Sequence, residues 1–179
     1  MPGPTLVIEL AEPPSPATLR GFRALMAGLS SSFTEVRPGS FDVNVPAERL
    51  GVEDRREEDW HRPFLVYLMG PGAGDESIFE AEHADEPEVE AVLGFRPTHA
   101  VNVSAGCNHE IDHLATALLT AAVMDVIGGV ANAELLEGQA SVVAGLPGVL
   151  GIVDDDSMAL GTAEFLRAWV RHPAFRLVK

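Results

Sequence analysis

The 179-residue sequence has few basic side chains and a single cysteine. It contains 12 Lys and Arg against 27 Asp and Glu, so its formal net charge at pH 7 is −15. Such an acidic chain argues against nucleic acid or an anionic membrane surface as a partner, because both are negatively charged. The lone Cys107 excludes a disulfide within this sequence and fits a reducing cytoplasm. A basic protein is the kind of partner that this charge permits.

The sequence also lacks the pattern of a signal peptide and any long hydrophobic run. The apolar run near the amino terminus has no cationic stretch before it and is interrupted by Glu9. The longest apolar stretch, residues 114–130, contains Asp125 and a Gly128-Gly129 break. It is too short and too interrupted to span a bilayer. We therefore expect a soluble, cytoplasmic protein.

Hydrophobic residues make up 46% of the chain, which is enough for one packed core, and we predict a single domain over residues 1–179. Apolar side chains recur at helical spacing in several segments. We predict helices from Pro16 to near Ser30, over residues 87–93, from Asn108 to about Ile127, and from Thr162 to His172.

Apolar or alternating runs predict strands between these helices. They are residues 5–10, 41–45 with 33–36 as a candidate start, 64–69, 98–104, 130–133, 148–153 and 175–178. Residues 135–146 fit neither pattern and stay unassigned. The predicted fold class is α+β, and the simplest arrangement is one antiparallel or mixed sheet with helices packed mainly on one face.

His109, Glu110 and His113 spell the run His-Glu-x-x-His. On a helix, two histidines at positions i and i+4 point the same way and could hold Zn²⁺, while Glu110 could deprotonate a metal-bound water. This run would make the chain a zinc-dependent hydrolase. Such a site also needs a third protein ligand, for which Glu134 and Glu137 have a suitable side chain.

The same run is also typical of the start of a helix. Asp112 occupies a position that is normally uncharged in zinc proteases, and residues 104–108 before the run do not have a helical pattern. Asn108 as the cap, with Glu110 and Asp112 in the first turn, suits an exposed helix N-terminus. We favour this interpretation and predict no cofactor, with the zinc site as the alternative.

Two further runs carry weaker signals. Residues 154–156 are three aspartates, but consecutive carboxylates on an extended chain diverge, so we predict a solvated loop rather than a Mg²⁺ or Ca²⁺ site. Residues 70–74 are rich in glycine and follow a predicted strand, as phosphate-binding turns do. Asp75 and Glu76 come next and would repel phosphate, so we predict a simple turn.

The densest group of carboxylates lies between residues 75 and 90, which contain no Lys or Arg. Its members are Asp75, Glu76, Glu80, Glu82, Asp85, Glu86, Glu88 and Glu90. Between Pro63 and Glu164 the one basic residue is Arg96, whereas the end of the chain holds Arg167, Arg171, Arg176 and Lys179. An acidic face of this kind would attract a cationic partner and speed its association. We predict that these eight carboxylates form the partner-binding surface.

The carboxyl-terminal half contains several short runs that together form a pattern. They are Cys107-Asn108, Asp112-His113-Leu114, Gly128-Gly129, Leu146-Pro147-Gly148 and Phe165-Leu-x-Ala-Trp169-x-x-His172-Pro173-x-Phe175-Arg176-x-x-Lys179. The pattern covers about the last 80 residues and resembles that of a bacterial family known as a domain of unknown function. The resemblance implies no activity. Small acidic α+β proteins often look like immunity proteins that neutralise secreted toxins, which is an analogy at the level of the fold.

Three functions follow from these observations. The first is a non-enzymatic acidic binding protein, in its most concrete form an immunity-type inhibitor of a basic toxin. The second is the zinc-dependent hydrolase, with His109 and His113 as ligands and Glu110 as base. The third is a regulatory or scaffold domain without a ligand. We favour the first, because the chain is strongly acidic and shows no complete catalytic set, and we leave the oligomeric state open.

Overall fold

A computed structural model of the chain describes residues 3–52, 61–83, 85–153, 155 and 157–179. Within these ranges, the strands are β1 (Thr5–Leu10), β2 (Ser32–Arg37), β3 (Ser40–Pro46), β4 (His61–Met69), β5 (His99–Ala105), β6 (Val130–Glu134), β7 (Val149–Val153) and β8 (Met158–Gly161). The α-helices are α1 (Pro16–Leu29), α2 (Glu76–His83), α3 (Pro87–Leu93), α4 (Glu110–Ile127), α5 (Ala140–Val143) and α6 (Ala163–Trp169). The predicted α+β class is confirmed.

The strands form one sheet in the order β2-β3-β4-β5-β1-β6-β8-β7, and neighbouring strands are antiparallel. β1 lies in the middle of the sheet, between β5 and β6. The sheet is open and ends in β2 on one side and β7 on the other. The register shifts once in each of these edge strands, between Glu35 and Arg37 and between Val149 and Gly151.

One face of the sheet, here called the first face, carries most of the hydrophobic core. Leu6, Ile8 and Leu10 of β1 point to it, because side chains alternate along a strand. α1, α4 and α6 pack on this side, where Phe22 and Trp169 are fully buried. α4 contacts β1, β5 and both neighbouring helices, which explains why much of its surface is apolar. The helices therefore pack mainly on one face, as predicted.

The opposite face, here called the second face, is partly covered by α2 and α3. Phe79 of α2 packs with Met69 and Ala100 in a small separate cluster. Val92 of α3 lies so close to β7 that a β-carbon on Gly151 would be 2.7 Å from its Cγ1, so glycine permits this approach. Beside the two helices, the second face carries polar side chains, and these form the candidate site.

A buried ion pair fastens the first turn of α4 to the start of β4. Arg62 Nε donates to Asp112 Oδ1 at 2.7 Å, and Arg62 Nη2 donates to Asp112 Oδ2 at 2.8 Å. The two side chains are 2% and 0% exposed. Asp112 Oδ2 also accepts the backbone N–H of His109 at 2.7 Å, so the same carboxylate caps the helix. Removing two charges from water costs free energy, and these hydrogen bonds between the paired charges offset that cost.

The prediction of an exposed helix N-terminus at Asp112 is therefore wrong for this residue. The side chain is buried because Arg62, 50 residues earlier in the chain, reaches it. The helix also begins one residue later than the predicted cap implies, at Glu110, with His109 rather than Asn108 at the cap position.

The predicted strand over residues 175–178 is also wrong. The N–H of Leu177 donates to His113 Nδ1 at 3.2 Å, and Gln139 Nε2 donates to the carbonyl of Arg176 at 2.9 Å. Side chains from other elements thus form hydrogen bonds with backbone groups of residues 176 and 177, which in a strand would pair with a neighbouring strand. The segment is held against α4 and the loop before α5.

Four elements differ from the predicted set or were absent from it. α2 and β8 were not predicted, and residues 33–36 belong to a separate strand, β2, that pairs with β3. The unassigned residues 135–146 contain the short helix α5. Among the described helices, none combines the length and the apolar character needed to cross a membrane.

Removing one partner of the buried pair should destabilise the fold strongly. Arg62→Met leaves Asp112 buried without its ion-pair partner, and we expect the free energy of unfolding to fall by about 3–5 kcal/mol. Urea unfolding followed by circular dichroism measures this change. Arg23→Met is the control, because Arg23 pairs with Glu35 at the surface and is 57% exposed. It should cost about 1 kcal/mol or less, and an equal loss in both variants would contradict the role of the buried pair.

Candidate functional site

The residues of the His-Glu-x-x-His run do not share one helix face. His109 precedes α4 and has an extended backbone, with φ −96° and ψ 166°, so the i, i+4 relation of a helix does not apply to it. His109 and Glu110 are exposed, whereas His113 is buried and its Nδ1 accepts the N–H of Leu177. The two imidazoles therefore lie in different environments.

The suggested third ligands lie elsewhere in the molecule. The side chain of Glu134, at the end of β6, is on the second face, whereas α4 packs on the first. Glu137 lines a separate surface cavity in the loop before α5. Within the described ranges, no three His, Cys, Asp or Glu side chains come together to hold a metal ion. Asp154 and Asp156 lie outside the described residues.

Two of the eight predicted partner-binding carboxylates have structural roles in the turn before α2. Asp75 forms an ion pair with Arg37. Glu76 Oε1 accepts the N–H of Gly72 at 2.9 Å, and the N–H of Gly70 closes this turn by donating to the carbonyl of Gly74 at 3.0 Å. These two carboxylates stabilise the glycine-rich turn, which forms where it was predicted.

The other six carboxylates surround α2 and α3. Asp85 lies 2.9 Å from Arg96, and Glu90 lies 3.8 Å from the same side chain. Glu86 and Glu90 are partly buried, and the exposed members are Glu80, Glu82, Asp85 and Glu88. The structure thus places an acidic surface on this side of the sheet, partly neutralised by Arg96.

A groove of about 470 Å³ opens on the second face and is called the second-face groove here. Among the described residues, three carboxylates line it: Glu82 from α2, Glu86 from the turn before α3, and Glu134 from β6. Lys179, from the segment after α6, also lines the groove. The groove therefore joins part of the predicted acidic surface to residues that are far away in the sequence.

A hydrogen-bonded network connects the sheet to α2 at this groove. Glu9 Oε1 accepts from His83 Nδ1 at 3.0 Å and from Asn132 Nδ2 at 3.1 Å. Beside these residues, a second pair forms in which Asn102 Nδ2 donates to the hydroxyl of Tyr67 at 3.0 Å, and the network as named here includes both groups. The side chains of Glu9 and His83 are 1% and 5% exposed. His83, Asn102 and Asn132 line the groove, and Glu9 lies behind them.

Three atoms of this network are buried without a hydrogen-bond partner in the described part of the chain. They are Glu9 Oε2, Asn102 Oδ1 and His83 Nε2. Glu82 Oε2 lies 3.8 Å from His83 Nε2, which is beyond hydrogen-bond distance. An unpaired buried polar group costs about 1–3 kcal/mol. Because two of these atoms are acceptor oxygens, the site is suited to a ligand that donates hydrogen bonds.

The charges around His83 determine its protonation. Burial lowers the pKa of His83, but the hydrogen bond to Glu9 and the charges of Glu9, Glu82 and Glu86 outweigh burial, so the pKa is raised above its ordinary value of 6.5. The imidazole therefore stays protonated to a higher pH, and its Nδ1–H donates a hydrogen bond to the Glu9 carboxylate.

None of the network residues was among the predicted site residues. One signal was present in the sequence, since Glu9 interrupts an apolar strand and a charge there needs a buried partner. Its partners His83 and Asn132 lie 74 and 123 residues away. Strand periodicity carries no information on contacts at that separation.

The comparison with protein families gives one finding that covers almost the whole chain. The model of the Family of unknown function (DUF6368) matches residues 2–179. The expected resemblance to a domain of unknown function is thus confirmed, and it extends over the amino-terminal half. No curated protein and no solved structure matches the chain.

Two of the buried histidines, His83 and His113, should make the stability of the fold decrease on either side of pH 6.5. The pKa of His83 is raised on folding, so its stabilisation is present below 6.5 and is lost as the pH rises through the folded value. Burial and then the charge of Arg176 lower the pKa of His113, so stability is lost as the pH falls below 6.5.

Urea unfolding at a series of pH values measures this profile. His83→Gln should flatten the alkaline side and leave the acidic side unchanged, while His113→Gln should do the reverse. An alkaline side that His83→Gln leaves unchanged would show that the pair with Glu9 does not control it.

Proposed function

We propose a function for a chain that belongs to the Family of unknown function (DUF6368): it is a non-enzymatic acidic protein that binds a basic protein partner. The second-face groove receives a cationic side chain of that partner. The exposed carboxylates Glu80, Glu82 and Glu88 attract it. An immunity-type inhibitor of a basic toxin is the most concrete form of this proposal.

The observation that carries the proposal is a hydrogen-bond acceptor at the groove that has no donor. Asn102 Oδ1 is buried, has no hydrogen-bond partner among the described residues and belongs to a side chain that lines the groove. A guanidinium group offers five N–H donors and an ammonium group offers three. Either group could donate to this oxygen while it also pairs with Glu82 or Glu134.

The balance of charge in the groove supports a cationic rather than an anionic ligand. Among the described residues of its lining, the three carboxylates outnumber the basic side chains, which are His83 and Lys179. His83 is itself paired with Glu9, so its positive charge is already offset. Hydrogen bonds between a cationic donor and a carboxylate are about twice as strong as those between neutral groups.

The charge of the whole chain supports rapid association with a basic protein. A net charge of −15 attracts cations at long range, and salt screens this attraction with a Debye length of about 10 Å at 0.1 M. Neither of the other two predicted functions has a comparable observation in its favour. The suggested zinc ligands lie apart, and nothing in the described residues favours a scaffold over a binding protein.

The groove can be tested with a defined probe, a peptide of alternating Arg and Ser, titrated calorimetrically at low ionic strength. Glu82→Gln with Glu134→Gln removes two carboxylates of the groove. We expect the peptide to bind about tenfold more weakly, because both carboxylates are exposed and an exposed ion pair contributes about 0.2–1 kcal/mol. Asn102→Leu changes no charge and should also weaken binding, because it removes the unpaired acceptor.

Glu48→Gln with Glu164→Gln is the matched control, because both side chains are exposed and neither lines the groove. This variant has the same net charge as the first double variant, so a loss confined to the groove variants separates a specific site from diffuse attraction. Equal losses in the two double variants, or no effect of Asn102→Leu, would contradict the proposal.

A further inference from the structure

A second cavity, of about 430 Å³, lies between the first turns of α4 and the segment that follows α6. It is called the terminal cavity here. Its polar wall contains His113 from α4 and Arg171, His172 and Arg176 from the terminal segment. Leu114 and Phe175 are among its apolar residues. A volume of this size suits a small organic molecule.

The arginines of the terminal cavity differ from most others in this acidic chain. Ion pairs to Asp or Glu are formed by Arg23, Arg37, Arg62, Arg96 and Arg167. Arg171 and Arg176 pair with no carboxylate in the described part of the chain, although both line the same cavity. Among the described residues of this lining, Glu110 is the one acidic side chain, and it is exposed. The cavity therefore carries positive charge in a protein with a net charge of −15.

His113 adds a buried donor to this positive charge. Its side chain is 3% exposed, and its Nδ1 accepts the N–H of Leu177 at 3.2 Å. In a neutral imidazole, an accepting Nδ1 leaves the proton on Nε2. Nε2 is buried and has no hydrogen-bond partner among the described residues. An unpaired buried donor is rare in a folded protein. Here it lies in one cavity with two exposed arginines that pair with no described carboxylate, an arrangement suited to an anionic ligand.

We propose that the terminal cavity binds a small organic phosphate. Arg171 and Arg176 bind its phosphate oxygens, His113 Nε2 donates a further hydrogen bond to them, and the organic part packs against Leu114 and Phe175. Guanidinium groups bind phosphate through paired N–H donors, and two of them balance the charge of a phosphate monoester dianion. This site is on the opposite face of the sheet from the second-face groove and does not depend on the function proposed for that groove.

Phenyl phosphate is a suitable probe, because it combines the two parts of the proposed ligand. Saturable binding is expected in a calorimetric titration, with inorganic phosphate and benzoate as weaker probes that lack the aromatic ring or the phosphate. Arg171→Gln with Arg176→Gln should weaken binding of phenyl phosphate about tenfold to a hundredfold, as expected when hydrogen bonds to charged groups are lost. Phe175→Ala should weaken binding of phenyl phosphate and leave that of inorganic phosphate unchanged.

Arg20→Gln with Arg23→Gln is the matched control, since both side chains are exposed on α1 and the net charge changes equally. This variant should bind phenyl phosphate like the unmodified protein. Circular dichroism verifies that each variant is folded before it is titrated. The proposal is overturned if the folded, unmodified protein shows no saturable binding of phenyl phosphate, if benzoate binds more tightly, or if both double variants lose the same affinity.

Discussion

The buried pair of Arg62 and Asp112 is the interaction on which the arrangement of both cavities depends. It fixes the first turn of α4 against β4, and Asp112 directly precedes His113 in the wall of the terminal cavity. His113 in turn holds the backbone of Leu177, and the same segment ends in Lys179 at the second-face groove. The contact between Arg62 and Asp112 thus helps to position residues on both faces of the sheet, because each residue in this series holds the next.

Much of the fold could be predicted from local patterns. α1 and α3 have almost the bounds that the apolar spacing predicts, and α6 lies within the predicted residues 162–172. α2 was not predicted because its buried residues are only Phe79 and His83, surrounded by carboxylates that suggested a solvated surface. β8 has four residues, too few for strand alternation to be recognised.

The candidate sites were harder to predict than the fold, because their residues meet only through tertiary contacts. From the sequence alone, Asp112 looks like an ordinary acidic residue in the first turn of a helix. Its buried ion pair with Arg62 is visible only in the structure. Glu9 is conspicuous in β1, yet its hydrogen bonds come from α2 and β6. The run around His109 misleads for the opposite reason. Its residues are close in sequence, but His109 and Glu110 are exposed whereas His113 is buried. Spacing along the chain was informative about helices and uninformative about these side-chain clusters.

The register shifts in β2 and β7 have a consequence for behaviour at high concentration. An open sheet has two outer strands whose unpaired N–H and C=O groups can accept a strand from another molecule. A shift interrupts the regular ladder and increases the local twist, and here it occurs in both outer strands. Charged residues, Glu35 and Arg37, flank the shift in β2. The sheet can therefore stay open without presenting a regular edge strand on which other molecules could add their strands.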